Sequence, residues 1–457
     1  MSLEIDYEKD KLVISELKCD CGLKHKRPEM DVYIGNGIME KASGYIKRKI
    51  SGNSLMLVTD NIIYDLYGEE VINLLETGGY NVKVCLLERE EKLVPDDTAV
   101  GEALLALDDK IDFLVALGSG SINDITRYVA YTTGRVFVSI GTAPSMDGYT
   151  SVISPLIYGN LKVNKKADHP AVLICDLEIM KRAPYKMLLA GLGDVLGKYI
   201  ARADWTLGKI VNNEQYCPAC IEIVKQAVNK CMDNIDGIIN RTDRGIRSLI
   251  EALILSGLTI LIIGFTRPVA SNEHNMSHYW KMMKLSKDEK APSHGISVGV
   301  ATGYVLKFYE EFFKLDFNKI HLETISSNRD EPETRNEKIL KAYGNKLGKL
   351  ILNENPDEYL TWEEQSRRIN VLTTRQEQIK EELSFLPNWE YIINMYKDIG
   401  MSLTAQEIHI NRELLKNALL YAKDYRDRYT VFKSANELGV LEELVERTMK
   451  QYDEINS

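Results

Sequence analysis

The stretch DFLVALGSGSINDITRYVAYTTG, residues 112–134, reads as a strand, a glycine-rich turn and a helix in immediate succession. That unit is the building block of a parallel sheet, because parallel neighbours need a crossover between them. The same alternation extends outward from it. SLMLVTD (54–60) has the β-rich character of a strand, and NIIYDLYGEEVINLLETGG (61–79) that of a helix closed by glycine. YNVKVCLLE (80–88) follows as a strand, AVGEALLALDD (99–109) as a helix, and VFVSIGTAPS (136–145) as a strand running into a loop.

From about Pro184 the pattern changes. Segments near 186–205, 214–240, 244–264, 297–314 and 335–354 carry helical periodicity and little strand signal. The expected fold class is therefore α/β, with an N-terminal Rossmann-like parallel-sheet domain (1–186) followed by an all-helical domain (187–400). The tail, 401–457, reads as a helical extension that caps the helical domain or serves assembly. The polar stretch SSNRDEPETRNEK (326–338) reads as an exposed connection.

Bulk composition sets limits. The chain has 457 residues, enough for two or three domains, with 44% apolar and 27% charged residues. A formal charge of −10 speaks against an open nucleic-acid or anionic-membrane surface. The start, MSLEIDYEKD, has neither a basic region nor an apolar core, so no signal peptide is evident. The uncharged part of the most apolar stretch, 252–265, is short for a membrane span and suits a buried helix. A soluble, cytoplasmic protein is expected. Seven cysteines, an odd count, argue against a disulfide framework. CDCGLKH (Cys19, Cys21, His25) and CPAC (Cys217, Cys220) each fall short of four ligands at finger spacing, so they read as reduced thiols.

Several stretches carry chemistry. In GSGSIND (118–124), glycines let backbone N–H groups approach a phosphate at a helix N-terminus. The third position of the dinucleotide fingerprint, however, holds Asn123, so a plain tight turn is an equal reading. Asp60 ends a strand, where an acid can accept a ribose hydroxyl or simply cap the next helix. GTAPSMDGYTS (141–151) places Thr142, Ser145, Ser151 and Asp147 in a loop after a strand, where open α/β sheets bind ligands; turn chemistry explains the same residues. GLGDVLGKYIARADW (191–205) puts Asp194 in the first turn of an expected helix. ASNEHNMSHYW (270–280) spaces His274 and His278 one helical turn apart, and APSHGIS adds His294. A carboxylate with two or more histidines suits Zn²⁺ and related divalent ions. Glu273 precedes both histidines, so this is not the HExxH arrangement.

Taken in order, GSGSINDITR, TAPSMDGYTS, GLGDVLGKYIARADW and EHNMSHYW resemble the iron-containing alcohol dehydrogenase / glycerol dehydrogenase superfamily, and within it the bacterial branch of the sn-glycerol-1-phosphate dehydrogenases. CDCGLKH and DYRDRYTVF (424–432) are similar to that branch as well. The resemblance implies the dehydroquinate synthase-like fold, NAD with NADP possible and one divalent ion (Zn or Ni); a homodimer is expected by base rate. It also implies reduction of dihydroxyacetone phosphate to sn-glycerol 1-phosphate. By similarity Gly120, Ser121, Ile122, Asn123 and Asp124 hold the cofactor pyrophosphate. Thr142, Ala143, Pro144, Ser145 and Ser151 line its nicotinamide side, and Asp60 meets the ribose. Asp194, His274 and His294 are the implied metal ligands. Asp147, Asp194 and His278 are the implied substrate-side residues. Where the wider superfamily carries a fourth ligand, histidine, this chain has Lys198. Lys162, Lys165, Lys166 and Lys198 are candidates for a substrate phosphate. Three other readings compete: another polyol dehydrogenase, a dehydroquinate synthase-like lyase, and a non-catalytic descendant.

Overall fold

A computed structural model describes residues 2–159, 161–355 and 359–455. Ten strands are described: β1 (Ser2–Glu8), β2 (Lys11–Lys18), β3 (Asp31–Gly35), β4 (Ser54–Asp60), β5 (Asn81–Leu87), β6 (Phe113–Gly118), β7 (Phe137–Gly141), β8 (Ile153–Tyr158), β9 (Leu161–Lys166) and β10 (Val172–Asp176). Eight form one sheet in the order β1-β2-β3-β10-β7-β6-β4-β5, and β8–β9 form a separate hairpin. From β3 to β5 every neighbour is parallel, while β1–β2 and β2–β3 are antiparallel. The parallel layer matches the sequence reading. The antiparallel additions were not legible there.

Alternation along each central strand feeds two cores, one per face of the sheet. Leu55, Leu57, Val115 and Leu117 enter one apolar cluster; Met56, Val58, Leu114 and Ala116 enter the other. Strands buried on both sides in this way require helices above and below, which is why the runs look continuously apolar. The strand order also locates a binding crevice. The chain passes from β4 outward to β5, then returns to place β6 on the other side of β4. Such a reversal opens a gap beyond the carboxyl ends of the two strands, here between Asp60 and Gly118.

The chain divides into two compact units. Unit 1 comprises 1–195 and 217–266; unit 2 comprises 196–216 and 267–457. The boundaries drawn from sequence at 186 and 400 do not coincide with this division. Helical periodicity says that a segment is a helix, but not which body it packs on. Helix Asp243–Ile263 belongs to unit 1, where it packs against helix Pro218–Met232 and the turn Asp147–Thr150. By length and composition this helix could cross a membrane, yet 94% of its apolar window is buried inside the protein. In unit 2, helices Asn272–Leu285 and His294–Phe313 pack together; helix Arg412–Tyr421 lies on the first and Leu441–Ile455 on the second.

Two local readings are corrected. The helix expected over 61–79 contains a π-turn at Tyr64–Gly68 between its α-helical parts. The connection expected over 326–338 is helical from Pro332, which opens helix Pro332–Glu354 at the position where its missing N–H costs nothing.

Candidate functional site

In unit 1 the glycine-rich turn lies where the topology requires it. Gly118 ends β6, Ser119 stands at the N-cap position of helix Gly120–Thr132 without a side-chain capping bond, and the Thr142 N–H donates to the Gly118 carbonyl at 3.1 Å. Gly120, Ser121, Ile122, Asn123 and Asp124 thus form the first turn of a helix aimed at the crevice. Asn123 is fully buried, and neither its amide oxygen nor its nitrogen has a hydrogen-bonding partner among the described residues. Buried amides are rarely left so, which makes this position receptive to a polar ligand. Asp124 pairs with Arg127 at 2.7 Å. Arg127, completely buried, also donates to the carbonyls of Gly148, Tyr149 (3.3 Å) and Ile153 (3.2 Å). Asp124 therefore braces the hydroxyl-rich loop through Arg127. Asp60 caps the next helix, accepting from the Ile63 N–H at 2.9 Å.

The loop that follows β7 is gripped from several sides. The Tyr149 hydroxyl donates to the Ala143 carbonyl at 2.8 Å, and Ser151 Oγ bonds locally to Ile153. Thr142, Ala143 and Pro144 are buried, while Ser145 and Asp147 are half-buried. The Asp147 N–H donates to Asp194 Oδ2 at 3.0 Å, joining two of the motifs. Two helices approach this loop closely because they carry glycine at the contact. A Cβ on Gly191 would lie 2.0 Å from the Pro144 carbonyl oxygen, and one on Gly257 would lie 2.1 Å from Thr150 Oγ1. Gly191→Ala is expected to destabilise the protein by about 1–3 kcal/mol, the usual cost of overpacking. Urea unfolding would show it, alongside an increased KM for the dinucleotide; an unchanged midpoint and KM would contradict this packing.

Asp194 itself is fully buried. It lies in the last turn of helix Tyr185–Leu196, a correction to the first-turn placement expected from sequence. The helix begins earlier, directly after Pro184, and a second helix, Lys198–Asn212, continues after Gly197. A carboxylate at a helix C-terminus opposes the helix dipole, so this position calls for a cation. Lys198, fully buried, is the first residue of the second helix. Lys162, Lys165 and Lys166 sit on β9 of the hairpin, the latter two exposed.

Unit 2 gathers the three histidines. Ring centroids are 6.1 Å apart for His274–His278, 5.3 Å for His274–His294 and 5.7 Å for His278–His294. His274 Nδ1 is 2.7 Å from Glu273 Oε1, and that oxygen also accepts from the Ser271 N–H at 2.9 Å. A carboxylate at Nδ1 favours the proton there and so the tautomer whose Nε2 carries the lone pair, the usual support for a metal-bound imidazole. Glu273 was not foreseen as functional; its only sequence signal was adjacency to a histidine near a helix start. Glu273→Gln is expected to weaken divalent-ion binding by about 10–100-fold. Competition with a chromophoric chelator measures this, and equal affinity would remove the role.

A second buried network fixes the start of the histidine helix. Asp204 Oδ2 accepts from Ser271 Oγ (2.6 Å) and the Asn272 N–H (3.4 Å), while Oδ1 accepts from the Tyr309 hydroxyl (2.6 Å) and the Val431 N–H (2.9 Å). Arg267 donates to Ser271 Oγ, to the carbonyls of Asp204 and Tyr429, and in bidentate fashion to Glu214. Burial pushes the Asp204 carboxyl up to about 6. The final residues of GLGDVLGKYIARADW and the centre of DYRDRYTVF thus meet at this helix end. Unit 2 also holds a pocket of about 590 Å³ lined by Arg335, Lys338, Lys423 and Asp424 among others; none of the three histidines lines it.

Comparison with known proteins agrees with this geometry. Residues 33–184 match the iron-containing alcohol dehydrogenase family. A glycerol-1-phosphate dehydrogenase (NAD(P)+) of Halalkalibacterium halodurans is 36% identical over 303 residues, covering 66% of this chain and 75% of the relative. One from Bacillus licheniformis is 29% identical over 426 residues, 93% of each chain. The fold is shared with a glycerol dehydrogenase from Schizosaccharomyces pombe, with a TM-score of 0.60 at 13% identity over 96% of this chain and 95% of that one.

Proposed function

We propose a reaction from one premise: the chain belongs to the glycerol-1-phosphate dehydrogenase (NAD(P)+) family of the iron-containing alcohol dehydrogenases, oxidoreductases that act on a CH–OH group. The reaction is the interconversion of dihydroxyacetone phosphate and sn-glycerol 1-phosphate, run in the reducing direction with NADH or NADPH. Residues 1–186 bind the dinucleotide, 187–400 hold the ion and substrate, and 401–457 pack on the helical part. The protein acts in the cytoplasm as a homodimer.

The observation that carries the reading is His274 held by Glu273 within a cluster of three histidines. By the family resemblance, Asp194, His274 and His294 are the donor set that would hold one divalent ion, Zn or Ni. When bound, the ion polarises a carbonyl oxygen and the nicotinamide exchanges a hydride, chemistry that belongs to those groups. The chain's own residues do the rest. The N-terminus of helix Gly120–Thr132 and the buried Asn123 amide receive the pyrophosphate; Asp60 meets the ribose; Thr142 to Ser145 and Ser151 border the ring. Asp147 orients a substrate hydroxyl. His278 faces the substrate and moves a proton to or from its oxygen.

Lys198 receives the substrate phosphate. Lys198 is fully buried at the start of helix Lys198–Asn212, at the position where the wider superfamily carries a fourth ligand histidine, so its ammonium is placed to face the substrate. Lys198→Ala is expected to raise KM for dihydroxyacetone phosphate by about tenfold or more, from the 1.5–3 kcal/mol typical of a hydrogen bond to a charged group. An unchanged KM would remove this role. The reaction itself is tested by following NADH oxidation with dihydroxyacetone phosphate and determining the product's chirality. Formation of the other enantiomer, or faster turnover of unphosphorylated dihydroxyacetone, would overturn the assignment.

A further inference from the structure

Unit 1 contains a second cluster of metal-ligand side chains that the reaction does not use. Cys19, Cys21, His25 and Cys217 each offer one ligand atom, and the four atoms lie within 4.8 Å of one another. Three come from the loop after β2. The fourth is the cap of helix Pro218–Met232, the first residue of the chain's second pass through unit 1. Neither stretch alone offers four ligands; folding adds the fourth, Cys217, to the three of the loop.

The distances discriminate between explanations. Cys19 Sγ and Cys217 Sγ are 3.8 Å apart, far beyond the ~2.05 Å of a disulfide. Cys21 Sγ and His25 Nε2 are 3.6 Å apart, and His25 Nε2 and Cys217 Sγ 3.2 Å. A tetrahedron with Zn–S of about 2.3 Å and Zn–N of about 2.0–2.1 Å has S···S edges of about 3.8 Å and S···N edges of about 3.6 Å. Two of the three separations fall on those values, and the third is shorter by a few tenths of an ångström. The support around the ligands also fits. Cys217 is fully buried, and the Cys220 N–H points at its sulfur, 3.4 Å away, as a backbone donor does for a metal-bound thiolate. Cys220 stands outside the group of four, and Cys85, Cys175 and Cys231 are buried.

We propose that Cys19, Cys21, His25 and Cys217 bind a structural Zn²⁺ ion that fastens the loop after β2 to the start of helix Pro218–Met232. Three thiols and one imidazole close the coordination sphere, leaving no position for substrate, and three protons leave as the ion binds. One backbone bond already ties this loop to a different helix of unit 1, from the Lys26 N–H to the Ile262 carbonyl near the end of helix Asp243–Ile263 at 2.8 Å. The ion adds a second, stronger tie at the point where the chain re-enters unit 1.

Cobalt substitution of the full-length protein tests this apart from catalysis. Co²⁺ bound to three thiolates gives an intense sulfur-to-cobalt charge-transfer absorption, which a site of one carboxylate and two imidazoles cannot produce. The expected result is that band in the wild-type chain, its loss in Cys21→Ala, and its persistence in His274→Ala. Native mass spectrometry of the zinc-grown protein should show one ion fewer in Cys21→Ala, with a lower melting temperature. Should Cys21→Ala fail to fold, the wild-type spectrum still decides. Absence of the band with all seven thiols titratable would overturn the proposal, as would a Cys19–Cys217 disulfide in protein purified under reducing conditions.

Discussion

His274→Ala is expected to lower NADH-coupled turnover of dihydroxyacetone phosphate by about a thousandfold or more. Polarisation of a carbonyl by a bound ion is worth several kcal/mol, and each 1.4 kcal/mol is a factor of ten. The effect is large because the orientation of His274 is fixed from behind: Glu273 Oε1 sits 2.7 Å from its Nδ1 and is itself held by the Ser271 N–H. His278, one turn further along the helix, has its ring 5.6 Å from that of Tyr425. His278→Ala should therefore retain the divalent ion while losing turnover, and the ion content of the two purified variants separates the roles. If His274→Ala keeps both its metal and its rate, the assignment of His274 as a ligand is wrong. Equal metal loss in both variants would make His278 a ligand too.

What could be read from sequence, and what could not, follows the range of the interactions involved. GSGSIND was legible because a glycine turn opening a helix is a local event, and the topology adds only that it lies beside the sheet's point of reversal. The histidine pair was legible because helical spacing alone puts both rings on one face. Asp194 was assigned to the wrong end of its helix because Pro184, which permits a helix to start directly after it, was outweighed by the glycines at 191 and 193. One of those glycines turns out to admit the Pro144 carbonyl. Arg267 and Asp204 were not legible at all, and Glu273 only through its neighbouring histidine. The importance of Arg267 and Asp204 depends on which partners meet them, and those come from segments as distant as Tyr309, Tyr429 and Val431. The approach of the cysteine motifs was not legible for the same reason: CDCGLKH carries three of the four clustered side chains and CPAC one, and no local rule says that they meet.

Asp204 carries the second large effect. Its carboxylate receives four buried donors: Ser271 Oγ, the Asn272 N–H, the Tyr309 hydroxyl and the Val431 N–H. Asp204→Ala orphans them together. A buried donor without a partner costs about 1–3 kcal/mol, and relaxation shares that cost, so a loss of about 3–5 kcal/mol in unfolding free energy is expected. Because two of the donors begin the helix that bears His274, the variant should also bind its divalent ion more weakly, a readout that a purely global destabilisation measured well below the melting temperature does not move. Asp204→Asn separates charge from hydrogen bonding. Burial raises the native carboxyl to about 6 from its ordinary value of 3.8, so the folded state holds the proton more tightly than the unfolded one. The contribution of this group to stability is then greatest below 3.8 and declines as pH rises to about 6, above which it is constant. Two pK units correspond to about 3 kcal/mol. The difference in stability between wild type and Asp204→Asn should therefore shrink across that window and level off above it. A difference that grows with pH would mean that the carboxylate is stabilised, not strained, by its surroundings, and that the Arg267 charge nearby outweighs burial.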